Sequence, residues 1–295
     1  MAYLQHIVVL AGIYTILTVS LDLLAGRTGI LSVAHAAFYG LGAYTAALFA
    51  IHTGVPFLLS VPFGMILAMM ASLVVSFASI RLYDDYFVIA TLAFQMILFA
   101  VFNNLIDITR GPLGISDIPW PVLFGWTVKS PLSFAMLTAT FAGFACLVVA
   151  RIAVSPFGRI LLAIREDEVF AAGIGKNTPK AKVIVFAISG ALAASAGSLY
   201  AHYTTSIAPQ SFTVSESILV IAMVIIGGAG SFWGSVFGAV VLVLLPELLR
   251  FLGLPSSVAA NIRQILYGTL LVAFMIWRPQ GILGKYAFHR GETRE

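Results

Sequence analysis

The sequence predicts an all-α, polytopic transmembrane bundle, and three observations carry that expectation. Hydrophobic residues fill 60% of the 295 positions and charged residues only 9%, where a soluble domain carries about a quarter charged. The mean hydropathy is +1.03. Two long stretches are nearly free of charge: Thr28 to Ile80 has no Asp, Glu, Lys or Arg, and Val183 to Leu249 has only Glu216 and Glu247. Each can hold two or more crossings, because ~30 Å of hydrocarbon at ~1.5 Å per residue needs ~20 apolar residues. A β-barrel would show short alternating strands instead. The same composition excludes a water-soluble enzyme, a disordered chain and a coiled coil. The net charge of +4 comes from few charges, with no basic stripe of interleaved aromatics, so a nucleic-acid partner is not expected.

The chain reads in order as one transmembrane domain over 1–295. Helices are expected over 3–24, 30–50, 56–79 and 86–104. A connection rich in Pro and Gly comes next over 105–131, then a helix over 132–151. A polar stretch covers 152–182. Helices resume over 183–203, 214–227, 234–252 and 262–278, and a polar tail covers 279–295. This gives about eight to ten crossings. The segment over 214–227 is short, and the one over 30–50 contains Gly40, Gly42 and His35. Either is a candidate for a broken or re-entrant helix, which a membrane tolerates only where protein or water covers the backbone. Met1 to Leu21 has no Lys or Arg, so a cleaved signal is not expected. The single cysteine, Cys146, excludes an intrachain disulfide and is read as a small buried apolar residue.

Lys and Arg set the orientation, because they are retained on the cytoplasmic side. With 152–182 in the cytoplasm, alternation puts the N-terminus outside and the C-terminus inside. Arg27, Arg81, Arg151, Arg159, Arg165, Lys176, Lys180, Lys182, Arg278, Lys285, Arg290 and Arg294 then lie inside; Arg110, Lys129, Arg250 and Arg263 lie outside. The split of 12 to 4 exhausts the 16 Lys and Arg and favours N-out, C-in.

The 152–182 stretch is the most informative. Ser155 with Pro156 is a helix-start signal. Ile160, Leu161, Ile164, Glu168 and Ala171 fall at i, i+1, i+4, i+8 and i+11, giving a short amphipathic helix. Arg165, Glu166 and Asp167 fall on its polar side, and Gly173 and Gly175 end it. Spacing alone fits two readings equally: a helix docking into a groove of a soluble partner, or a solvated or interfacial loop helix.

Four stretches identify a resemblance. They are Gly29 to Tyr44 (GILSVAHAAFYGLGAY), Tyr86 to Phe94 (YFVIATLAF), Ser155 to Arg159 with Ala163 to Glu168 (SPFGR, AIREDE), and Ile226 to Ser231 running on to Gly238 and Ala239, closed by Arg278 to Ile282 (RPQGI). In these, and in order along nearly the whole chain, the sequence resembles the membrane permease subunits of branched-chain amino acid ABC importers, of the LivM type. The resemblance implies a cytoplasmic coupling helix seated in a cleft of an ATP-binding subunit, with Arg159, Ile164, Arg165, Glu166, Asp167, Glu168, Ala172 and Gly173 carrying the coupling. It implies partners: a homologous LivH-type permease, two ATP-binding cassette subunits of the LivG and LivF type, a periplasmic or extracellular substrate-binding protein, and the lipid bilayer of a bacterial inner membrane. ATP and Mg would belong to the cassette subunits. This chain has no G-x-x-x-x-G-K-S/T run, so no cofactor of its own and no enzymatic activity are expected.

Small residues recur four apart at Gly230, Gly234 and Gly238, and at Gly190, Ala194 and Ser198. Such faces let helix backbones approach in lipid. Packing within the subunit is the first reading, a contact with the second permease the alternative. Polar groups inside the membrane are costly and usually face a cavity or a partner. His35, Thr91, Gln95, Asn103 and Asn104 are therefore candidates for lining a translocation path. For His35 the competing reading is a bond to backbone at a helix break, and for Asn103 and Asn104 a capping role. Glu216 opens its helix, where the dipole favours a carboxylate, and Asp22 near Arg27 reads as interfacial. Within the family, urea or a short amide is the alternative substrate. A self-sufficient secondary transporter would need coupling carboxylates deep in the helices. A membrane enzyme would need a catalytic or metal-ligand cluster, which five scattered histidines (His6, His35, His52, His202, His289) do not supply.

Overall fold

Apolar length sets the framework. The computed structural model describes residues 2–79, 84–123, 125–250, 256–278 and 280–284. In chain order its helices are α1 (Ala2–Thr28), α2 (His35–Leu48), α3 (Phe57–Ser79), α4 (Asp84–Asn104), the single turn α5 (Ile106–Thr109), α6 (Pro131–Val154), α7 (Pro156–Glu166), α8 (Glu168–Gly173), α9 (Thr178–Thr204), α10 (Val214–Gly227), α11 (Phe232–Arg250) and α12 (Ser256–Trp277). Among the described residues, strands are confined to one antiparallel hairpin, β1 (Val122–Leu123) with β2 (Trp126–Thr127). The fold is an all-α polytopic bundle.

Each expected helix recurs, and six are long and apolar enough to cross a membrane: Tyr3–Thr28, Phe57–Ser76, Tyr86–Asn104, Pro131–Val154, Thr178–Thr204 and Pro209–Gly227. In α11 and α12 the apolar stretches are shorter, Phe232–Pro246 and Ile265–Phe274. Both segments suspected of being broken are irregular. The helix expected from residue 30 starts only at His35, so α2 has 14 residues, about 21 Å of rise at ~1.5 Å per residue. It runs on as a π-helical turn, Phe49–Thr53, closed by Gly54 in the left-handed region at φ 61°. α10 is likewise preceded by a 3-10 turn, Pro209–Phe212. The tail expected over 279–295 is described at 280–284 alone; Pro279, residues 285–295 and Arg81 lie outside the described residues.

Caps fix where the helices begin. Ser130, Ser155 and Asn177 each accept an N–H of the first turn with their side-chain oxygen, and each is followed by Pro at the first or second helical position. That satisfies one orphan donor and pre-sets φ for the next residue.

Burial separates centre from periphery. Most of the apolar windows of α1 and α9 is buried, 67% and 72%, but only 17% of that of α4. α1 and α9 are therefore the central helices, while α3, α4 and α6 expose apolar faces. Small residues allow the closest contacts. A Cβ on Gly42 of α2 would overlap the Ala194 carbonyl of α9, and one on Gly197 would overlap the Tyr39 carbonyl. The Ser198 hydroxyl donates to the Gly42 carbonyl at 3.2 Å. The same device closes α10 on α11: Gly234 lies against the Gly227 backbone and Gly238 against the Met223 carbonyl. These two glycines thus pack inside the subunit.

Candidate functional site

Two regions carry the chemistry, a helix break inside the bundle and a charged arm outside it. The break comes from residues 29–34. Starting α2 there leaves backbone N–H groups with no helical partner, and inside a membrane each must find one. Side chains of other helices, and one from the break itself, supply them. Thr91 Oγ1 accepts from Val33 N–H at 3.1 Å and Ser32 Oγ from Ala34 N–H at 3.2 Å. Ser217 Oγ accepts from Ala36 N–H at 2.9 Å, and Gln95 Oε1 from Ala37 N–H at 2.7 Å. Gln95 then turns its Nε2 to the Phe212 carbonyl, 2.8 Å away. Gln95 thereby ties α4 to the start of α2 and to the turn before α10.

Thr91 and Gln95 thereby hold backbone at the break. Both are fully buried, and their polar atoms are engaged with backbone; they act as caps. His35 is also fully buried. Its Nε2 lies 3.0 Å from Ser189 Oγ, which donates to the Ser20 carbonyl at 2.5 Å, so the histidine reaches the backbone of α1 through a serine. Asn103 is half-buried and Asn104 exposed, both in the last turn of α4. An open cleft of about 430 Å³ lies at the far end of α2, lined by Thr45, Leu48, Phe49, His52, Thr53, Leu67, Asp107 and Ile108. None of the five candidate path residues lines it.

The arm is two helices, not the one expected. α7 stops at Asp167, which takes an extended conformation (φ −158°, ψ 107°) and caps α8 by accepting Phe170 N–H at 2.9 Å. Gly158 permits the tight entry, because a Cβ there would strike the Ala153 carbonyl. Leu161, Ile164 and Ala171 face inward and are buried. The break at Asp167 gives α8 a facing of its own, independent of the α7 periodicity. Arg165 turns towards the bundle and donates from Nη1 to the Gly26 carbonyl of α1 at 2.5 Å. Glu168 pairs with Lys182 at 2.5 Å, a half-exposed contact. Of the expected coupling residues, Arg159, Glu166, Asp167, Ala172 and Gly173 are exposed, whereas Ile164 and Arg165 are directed inward. The exposed tip includes three apolar residues that the periodicity left out: Val169, Phe170 and Ile174, at 82%, 65% and 54% exposure. An adjacent apolar pair just after a capping Asp was the available signal.

A third group joins the arm's end of the bundle. Asp22, expected to be interfacial, is 2% exposed. Its Oδ1 accepts Gly230 N–H at 2.6 Å. The segment after α12 returns here: Ile282 N–H donates to the Ile226 carbonyl at 2.9 Å and Leu283 N–H to the Gly227 carbonyl at 3.0 Å. Glu216, in the first turn of α10, accepts the Tyr14 hydroxyl of α1 at 2.5 Å.

Six helices long and apolar enough to cross a membrane, with a buried helix start capped from two other helices and an exposed apolar-tipped arm between two of the spans, make this a multi-pass membrane protein. A family model described as the branched-chain amino acid transport system / permease component matches residues 3–275, and the chain belongs to that family. It is 35% identical to the high-affinity branched-chain amino acid transport system permease protein LivM of Escherichia coli (strain K12), over 94% of this chain and 69% of the relative's. It is 28% identical to a probable branched-chain amino acid transport permease protein LivM of Methanocaldococcus jannaschii, over 77% and 68%. The LivH permease protein of Salmonella typhimurium is 26% identical over 62% and 60%. No solved structure matched. The chain is accordingly a transport subunit, not an enzyme.

Proposed function

We propose that this chain is one of two membrane permease subunits of an ATP-driven, binding-protein-dependent importer. It moves branched-chain amino acids across a bacterial inner membrane by alternating access. Its partners are a homologous LivH-type permease, two ATP-binding cassette subunits that hold ATP and Mg, and a periplasmic binding protein. The apolar tip of the arm supports this reading most. Val169, Phe170 and Ile174 stand in the open, with exposed Glu166, Asp167 and Lys176 beside them in the chain. A few large apolar groups beside charged ones match the anatomy of a protein interface. Rigid-body motion of cassettes holding that tip would swing the helices it joins. A path for leucine, isoleucine or valine is best mostly apolar and weakly binding, with selection left to the binding protein.

The docking test is Phe170→Asp together with Val169→Asp. Anchors at the centre of an interface contribute ~2 kcal/mol or more, about 30-fold in affinity. Exposed positions otherwise move stability by under ~0.5 kcal/mol. The expected result is normal membrane abundance with the cassette subunits lost on co-purification. Variants that keep their cassettes and transport fully would remove the arm from the interface. The ligand held by the co-purifying binding protein separates branched-chain amino acids from urea or a short amide. ATP-independent uptake by this subunit alone would instead indicate a secondary transporter.

Orientation is tested separately. The charge split expects 105–131 outside and the tail inside. In intact cells an impermeant thiol reagent should label a cysteine introduced beside Gly111 and miss one beside Glu292. The reverse pattern would invert the topology.

A further inference from the structure

The geometry points to Arg165 as a positioning residue for transport: a strut that carries motion of the arm into the central helix α1 and, through Asp22, into the turn between α10 and α11. The inference rests on the permease reading above and adds a route to it. An arm joined covalently to α6 and α9 would be expected to act through those two helices. The structure supplies a third connection.

It consists of three consecutive contacts. Arg165 Nη1 donates to the Gly26 carbonyl in the last turn of α1. One turn earlier on α1, Asp22 Oδ1 accepts Gly230 N–H from the α10–α11 turn. Between them Gly26 brings the two backbones together, since a Cβ there would overlap both the Asp22 carboxylate and the Gly230 nitrogen. Arg165 and Arg27 also lie within electrostatic reach of Asp22. The contacts are short, charged and mostly buried, the class of hydrogen bond that resists stretching most. α1 is two-thirds buried, so displacing its end displaces the centre of the bundle. The far end of the connection is rigid as well. Gly230 comes just after Gly228, whose Cα lies so close to Gly281 and Gly284 that a side chain at any of the three would collide with backbone.

A cassette contact and a strut make different demands on Arg165, and the assembled importer distinguishes them. The complex of both permeases, cassettes and binding protein is reconstituted in liposomes, and three quantities are read: cassettes retained, ATP hydrolysed, and substrate taken up per ATP. Coupled uptake by the wild-type complex tests the permease reading itself; its failure would be a failure of that reading and not of the strut. Arg165→Ala is expected to retain cassettes and to lower uptake per ATP about tenfold, the scale set by one charged hydrogen bond. Arg165→Lys, which keeps the cation, should restore part of the ratio. Asp22→Asn should lower the ratio too, and adding it to Arg165→Ala should cause little further loss, because both act on one connection. Release of the cassettes by Arg165→Ala, an unchanged ratio, or additive losses in the double variant would each overturn the proposal. Should Arg165→Ala fail to accumulate, Arg165→Gln carries the same test. It is too short to reach Gly26, and a wild-type ratio would overturn the strut.

Discussion

Gln95→Leu is expected to loosen the bundle more than any other single polar replacement. The leucine fills similar space but withdraws an acceptor from Ala37 N–H and a donor from the Phe212 carbonyl. Ala37 N–H keeps the Ala34 carbonyl at 3.1 Å, so the Phe212 carbonyl is the group left unpaired, and one orphaned buried group costs roughly 1–3 kcal/mol. The membrane-unfolded chain also finds partners, which trims such effects, so the loss should be about 1–2 kcal/mol. Purified protein in detergent should unfold at a clearly lower temperature or denaturant concentration, and amide exchange at Ala37 should quicken. Gln95→Glu should fall between: a carboxylate still accepts from Ala37 but, ionised, has nothing to donate to Phe212. A Gln95→Leu protein with the wild-type midpoint would show that the capping contacts do not stabilise the break.

Gly42→Leu should be at least as damaging, for a steric reason. The first added carbon already overlaps the Ala194 carbonyl, and backbone cannot rotate aside as a side chain can. α2 and α9 would have to separate, breaking the Ser198 bond to the Gly42 carbonyl and the matching approach of Gly197 to Tyr39. Overpacking typically costs ~1–3 kcal/mol and sometimes more; about 3 kcal/mol is expected for Gly42→Ala and a larger loss for leucine. Gly143 and Gly268 provide the control, because an added Cβ meets nothing within 4 Å at either position. Alanine there should be neutral, or stabilising by up to ~1 kcal/mol from helix propensity. Equal denaturation midpoints for Gly42→Ala and Gly143→Ala would contradict the observed α2–α9 packing.

The two replacements also mark where the sequence stops being informative. Apolar run length gave the helices, because the membrane imposes a length that composition reports directly. Four-residue spacing of small residues gave the packing faces, for Gly234 and Gly238 as much as for Ala194 and Ser198. Thr91 and Gln95 announced themselves as polar groups in lipid. Their target did not, because it is a set of backbone N–H groups that exists only once the chain breaks at 29–34. Backbone donors have no letter in a sequence. Arg165 illustrates a second limit. Periodicity over 160–171 assumed one continuous helix and placed the guanidinium on the polar face. Asp167 interrupts that helix without any Gly or Pro and leaves Val169 and Phe170 outside, while Arg165, still within α7, reaches the Gly26 carbonyl with its long side chain. Asp22 was placed at the interface by its neighbour Arg27; the acceptor role that draws it inside depends on Gly230, some two hundred positions away in the chain.

The return of 280–284 to the end of α10 has a consequence for how the protein is made. The ribosome delivers α10, α11 and α12 before Ile282 and Leu283 emerge. Until then the carbonyls of Ile226 and Gly227 lack the donors that complete them. Closure of this end of the bundle is therefore a late event of biogenesis, and a nascent chain stalled after α12 exposes two backbone acceptors that the folded subunit conceals.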